Sequence, residues 1–313
     1  MAANRLTFKA TMMQVSVPAS SANLGPGFDS FGLALDIRDR YAAAVLDEAT
    51  IDVDVSGEGA DDPSLKLDKN NLVIKAMFKG FEFMGQKPRG IALRTLNATP
   101  HGKGLGSSAS AIVGGLALSR ALVLSGESFM SNDDLIALAT EMEGHPDNVS
   151  AAVLGGATVA WSEADLQNPG KNIGRAISLP VNESIRTLLC IPQSVLPTSK
   201  ARKLLPDTVP HHDAAFNAAR AALFTQAIST HPELLYAATE DRLHQDYRRE
   251  GMPHSLALVD KLRAAGVAAV ISGAGPTVLV LHTLSGTELE ELKASVGSEF
   301  SLQELAISQA GIL

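Results

Sequence analysis

A chain of 313 residues is long enough for two domains of ordinary size and for a substantial core. Its 45% hydrophobic and 19% charged residues match a soluble globular protein, and the 4% aromatic share leaves Val, Ile, Leu and Ala to fill the interior. A formal net charge of −8 with no Lys/Arg-rich run excludes the electrostatic footprint of a nucleic-acid binder, so any anionic ligand must be held by a local device such as oriented backbone N–H groups or a few placed arginines.

The N-terminus carries Arg5 and Lys9 but no apolar leader, and the longest nearly apolar stretch, residues 151–161, is too short to span a bilayer. The single cysteine, Cys190, sits in the apolar run Leu188-Leu189-Cys190-Ile191 and reads as a small core hydrophobe. These features predict a cytoplasmic protein with no membrane and no nucleic acid among its partners, a homodimer being the one association left open.

In chain order, residues 14–17 alternate and predict a strand that stops at Pro18 before the turn-rich segment 19–32. Residues 41–55 alternate again, which predicts two paired strands with one wet face. Apolar residues at Leu72, Ile74, Ala76, Met77, Phe78 and Phe81 predict a helix over 71–83, and residues 91–96 return to strand character. Residues 107–124, with only Arg120 charged, predict a buried helix launched from a glycine loop, with Ser107 or Ser108 as its N-cap. A further helix is expected from the Asn132-Asp133-Asp134 cap through Met142, and a strand over 155–161.

The polar stretch 162–174 is the expected linker, dividing the chain into domains 1–165 and 166–313. Beyond it the pattern predicts a strand over 187–191, then helices near 199–205 and over 213–230, 232–247 and 255–265. Strands at 267–271 and 277–282 and a helix at 287–296 complete the prediction. Interleaved strands and helices in both halves suggest two layered units with a cleft between them.

The loop Pro100-His101-Gly102-Lys103-Gly104-Leu105-Gly106-Ser107-Ser108-Ala109-Ser110 combines backbone freedom with the N–H-rich start of a helix, which suits a polyphosphate. It is not a Walker A loop, since Lys103 precedes Gly104 instead of following the last glycine. On glycines alone, a plain strand-to-helix turn explains it equally well.

The string Gly104-Leu105-Gly106-Ser107-Ser108-Ala109 lies downstream of Ser21-Ala22-Asn23-Leu24-Gly25-Pro26-Gly27-Phe28-Asp29 and upstream of Ile271-Ser272-Gly273-Ala274-Gly275-Pro276-Thr277. In this order the three segments resemble the GHMP kinase superfamily. Segments 18–29, Gly144-His145-Pro146-Asp147-Asn148-Val149 and Thr198-Ser199-Lys200-Ala201-Arg202 are similar to homoserine kinases within it. The resemblance implies an α+β protein of two domains, the first like domain 2 of ribosomal protein S5 and the second ferredoxin-like. It also implies transfer of phosphate from ATP, with Mg²⁺, to the hydroxyl of L-homoserine in threonine biosynthesis. Ser150-Ala151 stands where family members often have alanine-proline.

Carried over position by position, the resemblance implies ATP on residues 100–110 with Asn71 near the adenine, although Asn71 is equally suited to cap a helix. An amino-acid acceptor needs a cationic fork, an anionic acceptor and a way to aim its hydroxyl. The resemblance assigns Arg202 and Arg248 to the carboxylate, and Asn23 and Asp29 to the amino group and hydroxyl, with His145 and Thr198 completing the pocket. Ser108 and a glutamate would hold the metal, Glu141 being preferred over Glu143. Asn148 orienting the hydroxyl is the favoured catalytic assignment, with Asp147 as general base the alternative. A mevalonate-type acceptor and a nucleotide-binding relative without catalysis remain as rival readings.

Overall fold

The computed structural model describes residues 8–166 and 168–313, so Arg5, and Gln167 of the expected linker, lie outside the described residues. The first sheet contains β1 (Met13–Asn23), β2 (Gly27–Leu46), β3 (Ile51–Gly57), β4 (Gly90–Asn97), β5 (Ala157–Ala164) and β6 (Asn172–Leu179). Its order is β3-β4-β2-β5-β6 with β1 also paired to β2; β3 and β4 run parallel, and the other pairs are antiparallel. Helices α1 (Leu72–Phe83), α2 (Ser107–Leu122), α3 (Gly126–Phe129), α4 (Asn132–Glu143) and α5 (Asp147–Leu154) belong to this half. Ile74, Met77 and Phe81 of α1 and Val113 and Leu116 of α2 close the core over Val17, Tyr41, Ile91 and Leu93. Gly115 lets α2 pass close against α1, where a Cβ would strike the Val73 carbonyl.

The second sheet, order β10-β7-β9-β8, contains β7 (Arg186–Pro192), β8 (Ala268–Ile271), β9 (Val278–His282) and β10 (Phe300–Leu305), all antiparallel. Helices α6 (Thr198–Arg202), α7 (His211–Ser229), α8 (Leu235–Ala238), α9 (Pro253–Ala264) and α10 (Gly286–Ser295) accompany it. Period-two alternation divides β7 between two cores. Leu188 and Cys190 join Leu256, Val259 and Leu292 of α9 and α10, whereas Leu189 and Ile191 join Phe224 of α7. Cys190 is the core hydrophobe expected, and burial pushes its thiol up to about 12.

The core on the α7 side also takes Leu24 from the turn between β1 and β2 and Phe31, Leu33 and Leu35 from β2, so the two halves share one interior. Residues 306–313 fold back onto that sheet. Ser16 and Leu313 exchange backbone hydrogen bonds of 2.8 and 2.9 Å, Ser308 donates to the Ala34 carbonyl at 3.0 Å, and Arg38 reaches the Ser308 hydroxyl at 3.0 Å.

Several expectations are corrected. The first strand does not stop at Pro18: β1 runs on to Asn23 through a register shift at Pro18/Ala19, a bulge that accommodates a residue without an N–H. The linker over 162–174 is instead the connection of a hairpin, because β5 continues to Ala164 and pairs with β6 from Asn172. β6 therefore belongs to the first sheet. Its polar, half-exposed residues hid an edge strand. The cap of α4 is Ser131, in a reciprocal box with Asp134.

The helix expected over 232–247 breaks into a 3₁₀ turn at Pro232–Leu234, the short α8 and a second 3₁₀ turn at Asp246–Gly251. Asp241 causes the break. Its carboxylate accepts the backbone N–H groups of Leu243, His244 and Gln245 at 2.9–3.1 Å, giving the backbone an alternative to helix. That break brings Arg248 to the small cavity beside the glycine loop.

Candidate active site

The glycine loop enters α2 through Gly106, whose φ of +72° makes it the N-cap in left-handed conformation. The expected serine cap is thereby corrected: Ser107 and Ser108 lie in the first turn, with hydroxyls not used for capping. The first-turn N–H groups have no intrahelical carbonyl to bond and stand at the positive end of a 16-residue helix, a ready anion site. Gly104, at φ +75°, is equally constrained, since a Cβ there would run into the Ser272 carbonyl. Leu105 and Ala109 are buried and fix the loop from below.

Two side chains hold this loop in ways the sequence did not announce. Asp39, nearly inaccessible, accepts the N–H groups of Ala98 and Thr99 at 2.7 and 2.9 Å through Oδ1. Its Oδ2 accepts the hydroxyls of Ser110 at 2.7 Å and Tyr41 at 3.2 Å. One carboxylate thus ties the approach through Pro100 to the helix that follows. Lys103 donates its ammonium to the carbonyls of Pro192, Gln193 and Ser194 at 2.7–2.8 Å. That side chain is a clasp to the end of β7 and is committed away from a phosphate; any nucleotide contact from Lys103 falls to its backbone.

Ser107 and Ser108 line two neighbouring spaces. One is a cleft of about 350 Å³ shared with His101, Asn71, Lys66 and Tyr41. The other is a cavity of about 80 Å³. The cleft is large enough for a nucleoside and the cavity is not. Asn71 also caps α1, accepting from Val73 and Ile74 N–H at 3.0 and 3.4 Å.

The small cavity brings together Asn23, Asp29, His145, Asp147, Asn148, Thr198, Arg202 and Arg248, with Gly102, Gly104 and Gly106 on its loop side. Asn23 and Asp29 both adopt positive φ, +69° and +54°. The Asn23 amide is engaged at both ends, donating to the Gly273 carbonyl at 2.8 Å and accepting from the Asp29 N–H at 3.0 Å. Asn23 therefore shapes the pocket by joining the first and third glycine segments. Ser272 adds a second stitch, donating to the Gly104 carbonyl at 2.6 Å. Thr198 stands exposed at the start of α6.

The two arginines differ. Arg202 grips Asp29 in a two-toothed pair at 2.6 and 3.1 Å, a hydrogen bond that holds its guanidinium above the usual value. Arg248 is 1% exposed and forms no ion pair among the described residues. Its Nη1 donates to the Gly273 carbonyl and meets His244 Nδ1, both at 3.2 Å, while its buried Nε has no partner. Burial, reinforced by Arg202, lowers its pKa to about 10. Both guanidinium groups face the Phe28 ring, at 5.6 and 5.5 Å from its centroid.

At the other wall, His145 Nδ1 lies 2.6 Å from Asp147 Oδ1, which also accepts the Asn148 N–H at 2.7 Å. Burial opposes the charged imidazole, but that hydrogen bond and the charges of Asp147 and Glu143 outweigh it and raise the pKa. Asn148 accepts the Ser20 hydroxyl at 2.9 Å through Oδ1.

The carboxylate beside Ser108 is Glu143, not Glu141. Ser108 Oγ donates to Glu143 Oε2 at 2.7 Å, whereas Glu141 points to the far side of α4, pairing with Lys79 at 3.0 Å and Lys171 at 3.8 Å. Two residues along a helix turn through about 200°, so the two glutamates cannot share a face. A hydroxyl and a carboxylate at a helix N-terminus form a hard-oxygen pair that fits Mg²⁺.

Residues 71–156 match the GHMP kinases N terminal domain, and residues 219–301 match GHMP kinases C terminal. The chain is 44% identical over 304 residues to the homoserine kinase of Streptomyces coelicolor, covering 97% of this chain and 94% of that one. The chain belongs to the GHMP kinase family. The homoserine kinase of Mycobacterium tuberculosis is 44% identical over 295 residues, covering 94% and 92% of the two chains. Among solved structures, homoserine kinase from Cytophaga hutchinsonii superimposes with a TM-score of 0.80 at 24% identity over 98% of each chain. The L. major mevalonate kinase in complex with R-mevalonate shares the fold at a TM-score of 0.64 and 13% identity, covering 97% of this chain and 100% of that one. The observed architecture is thus the two-domain GHMP kinase fold expected from the sequence.

Within that fold, the sequence reading missed Glu143 as the partner of Ser108, and it missed Asp39, Ser20, Phe28 and His244. Phe28 lay inside a motif already singled out. Asp39 was hidden because the Ala98, Thr99 and Ser110 groups it binds lie 59 to 71 positions away, and His244 because its Gly25 partner lies 219 positions back, although Arg248 is only four residues on.

Proposed function

We propose that this GHMP kinase transfers the γ-phosphate of ATP to the side-chain hydroxyl of L-homoserine, giving O-phospho-L-homoserine on the route to threonine. The observation that carries the reading is Arg248: a buried cation with no ion pair among the described residues, in a cavity whose size suits an amino acid. The acceptor's carboxylate supplies the missing anion, and Asp29 receives its ammonium. The mevalonate reading leaves Asp29 without a cationic group on the acceptor, so it is the weaker one. A coupled ADP-release assay with homoserine and mevalonate in parallel tests the assignment; turnover of mevalonate alone would overturn it, and ATP binding without turnover of either would indicate a non-catalytic relative.

The triphosphate of ATP lies against the N–H groups of Gly106 to Ala109, with the nucleoside in the cleft lined by Asn71 and His101. Ser108 and Glu143 would hold Mg²⁺, which when bound neutralises charge on the transferring phosphoryl group. Asn148 spends Oδ1 on Ser20 and so presents its Nδ2 donor to the acceptor hydroxyl, aiming a lone pair at phosphorus. Asp147 is buried with Oδ1 already accepting two hydrogen bonds, which suits orientation of His145 and Asn148 better than proton abstraction. Because the transition state is loose, positioning and charge neutralisation supply most of the acceleration.

Asn148→Ala is therefore expected to lower kcat about a hundredfold and Asp147→Ala somewhat less, the latter through disorder of its two partners. Single-turnover rates measure this, and loss confined to the Asp147 variant would establish a general base. Among the described residues no helix is long and apolar enough to cross a membrane, which accords with work in the cytoplasm.

A further inference from the structure

A buried arginine without an acidic partner needs something to keep its guanidinium aimed at the cavity. Among the described residues, only Nη1 of the Arg248 side chain is hydrogen-bonded, to the Gly273 carbonyl and to His244, each at 3.2 Å. The His244 side chain is wholly inaccessible, and its other nitrogen, Nε2, lies 2.8 Å from the Gly25 carbonyl. A carbonyl can only accept, so Nε2 carries the hydrogen. Nδ1 is then left with a lone pair, and it accepts from Arg248.

The imidazole ring is also held flat. It lies 5.3 Å from the Phe28 ring, tilted 32°, and Phe28 is the surface that both guanidinium groups face. Its backbone is fixed by Asp241, whose carboxylate accepts the His244 N–H at 3.1 Å. The Gly25 end is just as rigid: at φ +88° a Cβ on Gly25 would collide with the Thr239 carbonyl.

We propose that His244 is a positioning residue for Arg248, holding the guanidinium in the acceptor cavity through Nδ1 and so setting affinity for the substrate carboxylate. This rests on the reading of the cavity as the homoserine site. The charges that face His244 are Asp241 and Arg248 from its own segment and Asp29 from β2. Burial is the largest influence on the ring and favours the neutral form, the form the geometry requires. A protonated Nδ1 would set one donor against another and a second cation against Arg248.

Two isosteric variants separate positioning from bulk structure. His244→Asn keeps an acceptor near the place of Nδ1 and gives up the bond to Gly25. His244→Gln keeps a donor near the place of Nε2 and gives up the acceptor that Arg248 uses. The Gln variant is expected to raise KM for homoserine about tenfold or more, as loss of a hydrogen bond to a charged group implies, with kcat and KM for ATP within about threefold of wild type. The Asn variant recovers most of that affinity.

Equal KM increases in the two variants would overturn the proposal, as would an unchanged KM in the Gln variant or a KM for ATP that rises in step. If the Gln variant does not fold, the Asn variant decides alone: near-wild-type KM supports positioning through Nδ1, and a tenfold increase sinks it. Wild-type enzyme that ignores homoserine overturns the functional reading itself, which distinguishes that failure from failure of the role given to His244.

Discussion

Arg248→Met should raise KM for homoserine by about a hundredfold or more, with KM for ATP nearly unchanged and a Tm no lower than that of wild type. The combination follows from the same isolation that identifies the residue. A carboxylate entering the cavity gains a desolvated, unshared cation, and its loss leaves that carboxylate buried and unpaired. The folded enzyme, by contrast, bears the cost of burying Arg248 without an ion pair among the described residues, the Asp29, Asp241 and Asp147 charges offsetting burial only in part, and methionine of similar length removes that cost. Function and stability should therefore move in opposite directions.

The pH dependence has a definite sign. Arg248 loses its charge at about pH 10, lower than an ordinary arginine, because burial and then Arg202 disfavour the cation. Affinity for homoserine should fall as pH rises through that region, and the cost of burying the charge is relieved over the same range. Initial-rate kinetics and thermal melts at pH 8 and 10 measure both; a Tm lowered by several degrees in the Met variant would contradict this account.

Asp39→Ala is expected to be the most destabilising single change at the nucleotide loop. It strands the N–H groups of Ala98 and Thr99 and weakens the Tyr41 and Ser110 hydroxyl network, all at a position 2% exposed. Leaving buried donors unmatched costs about 1–3 kcal/mol each, partly offset by relaxation, so a loss of about 4 kcal/mol and a Tm drop on the order of 10 °C are expected. Asp39→Asn should lose less than half as much. It keeps one acceptor for the two N–H groups, and its amide can donate to hydroxyls that turn to accept. Thermal unfolding of both variants, with KM for ATP measured alongside, would refute the assignment if Ala and Asn behaved alike.

What could be read from the sequence followed the range of each interaction. The glycine loop and α2 were legible because Gly104, Gly106 and the apolar run after Ser107 are neighbours in the chain. That Asn23, Asp29, His145, Arg202 and Arg248 gather in one cavity was legible only jointly, through motif resemblance, since Arg202 and Asp29 meet across 173 positions. That Glu143 and not Glu141 lies beside Ser108 was not legible, because it depends on which side of α4 faces Ser108, a matter of packing. β6 escaped because an edge strand with a wet face has the composition of a loop. The break after α8 escaped because Asp241 acts by capping three N–H groups at once, which no hydrophobic period records.

The return of residues 306–313 to β1 and β2, together with the core shared by Leu33 and Leu189, puts synthesis and folding out of step. When the first sheet has left the ribosome through β6, Leu24, Phe31, Leu33 and Leu35 still lack the surface that will cover them. The β1 edge at Ser16 still waits for Leu313. A nascent chain of that length displays apolar strand surface of the kind chaperones hold, and a gene split after Leu179 should yield a first fragment that becomes soluble only when the second is made beside it.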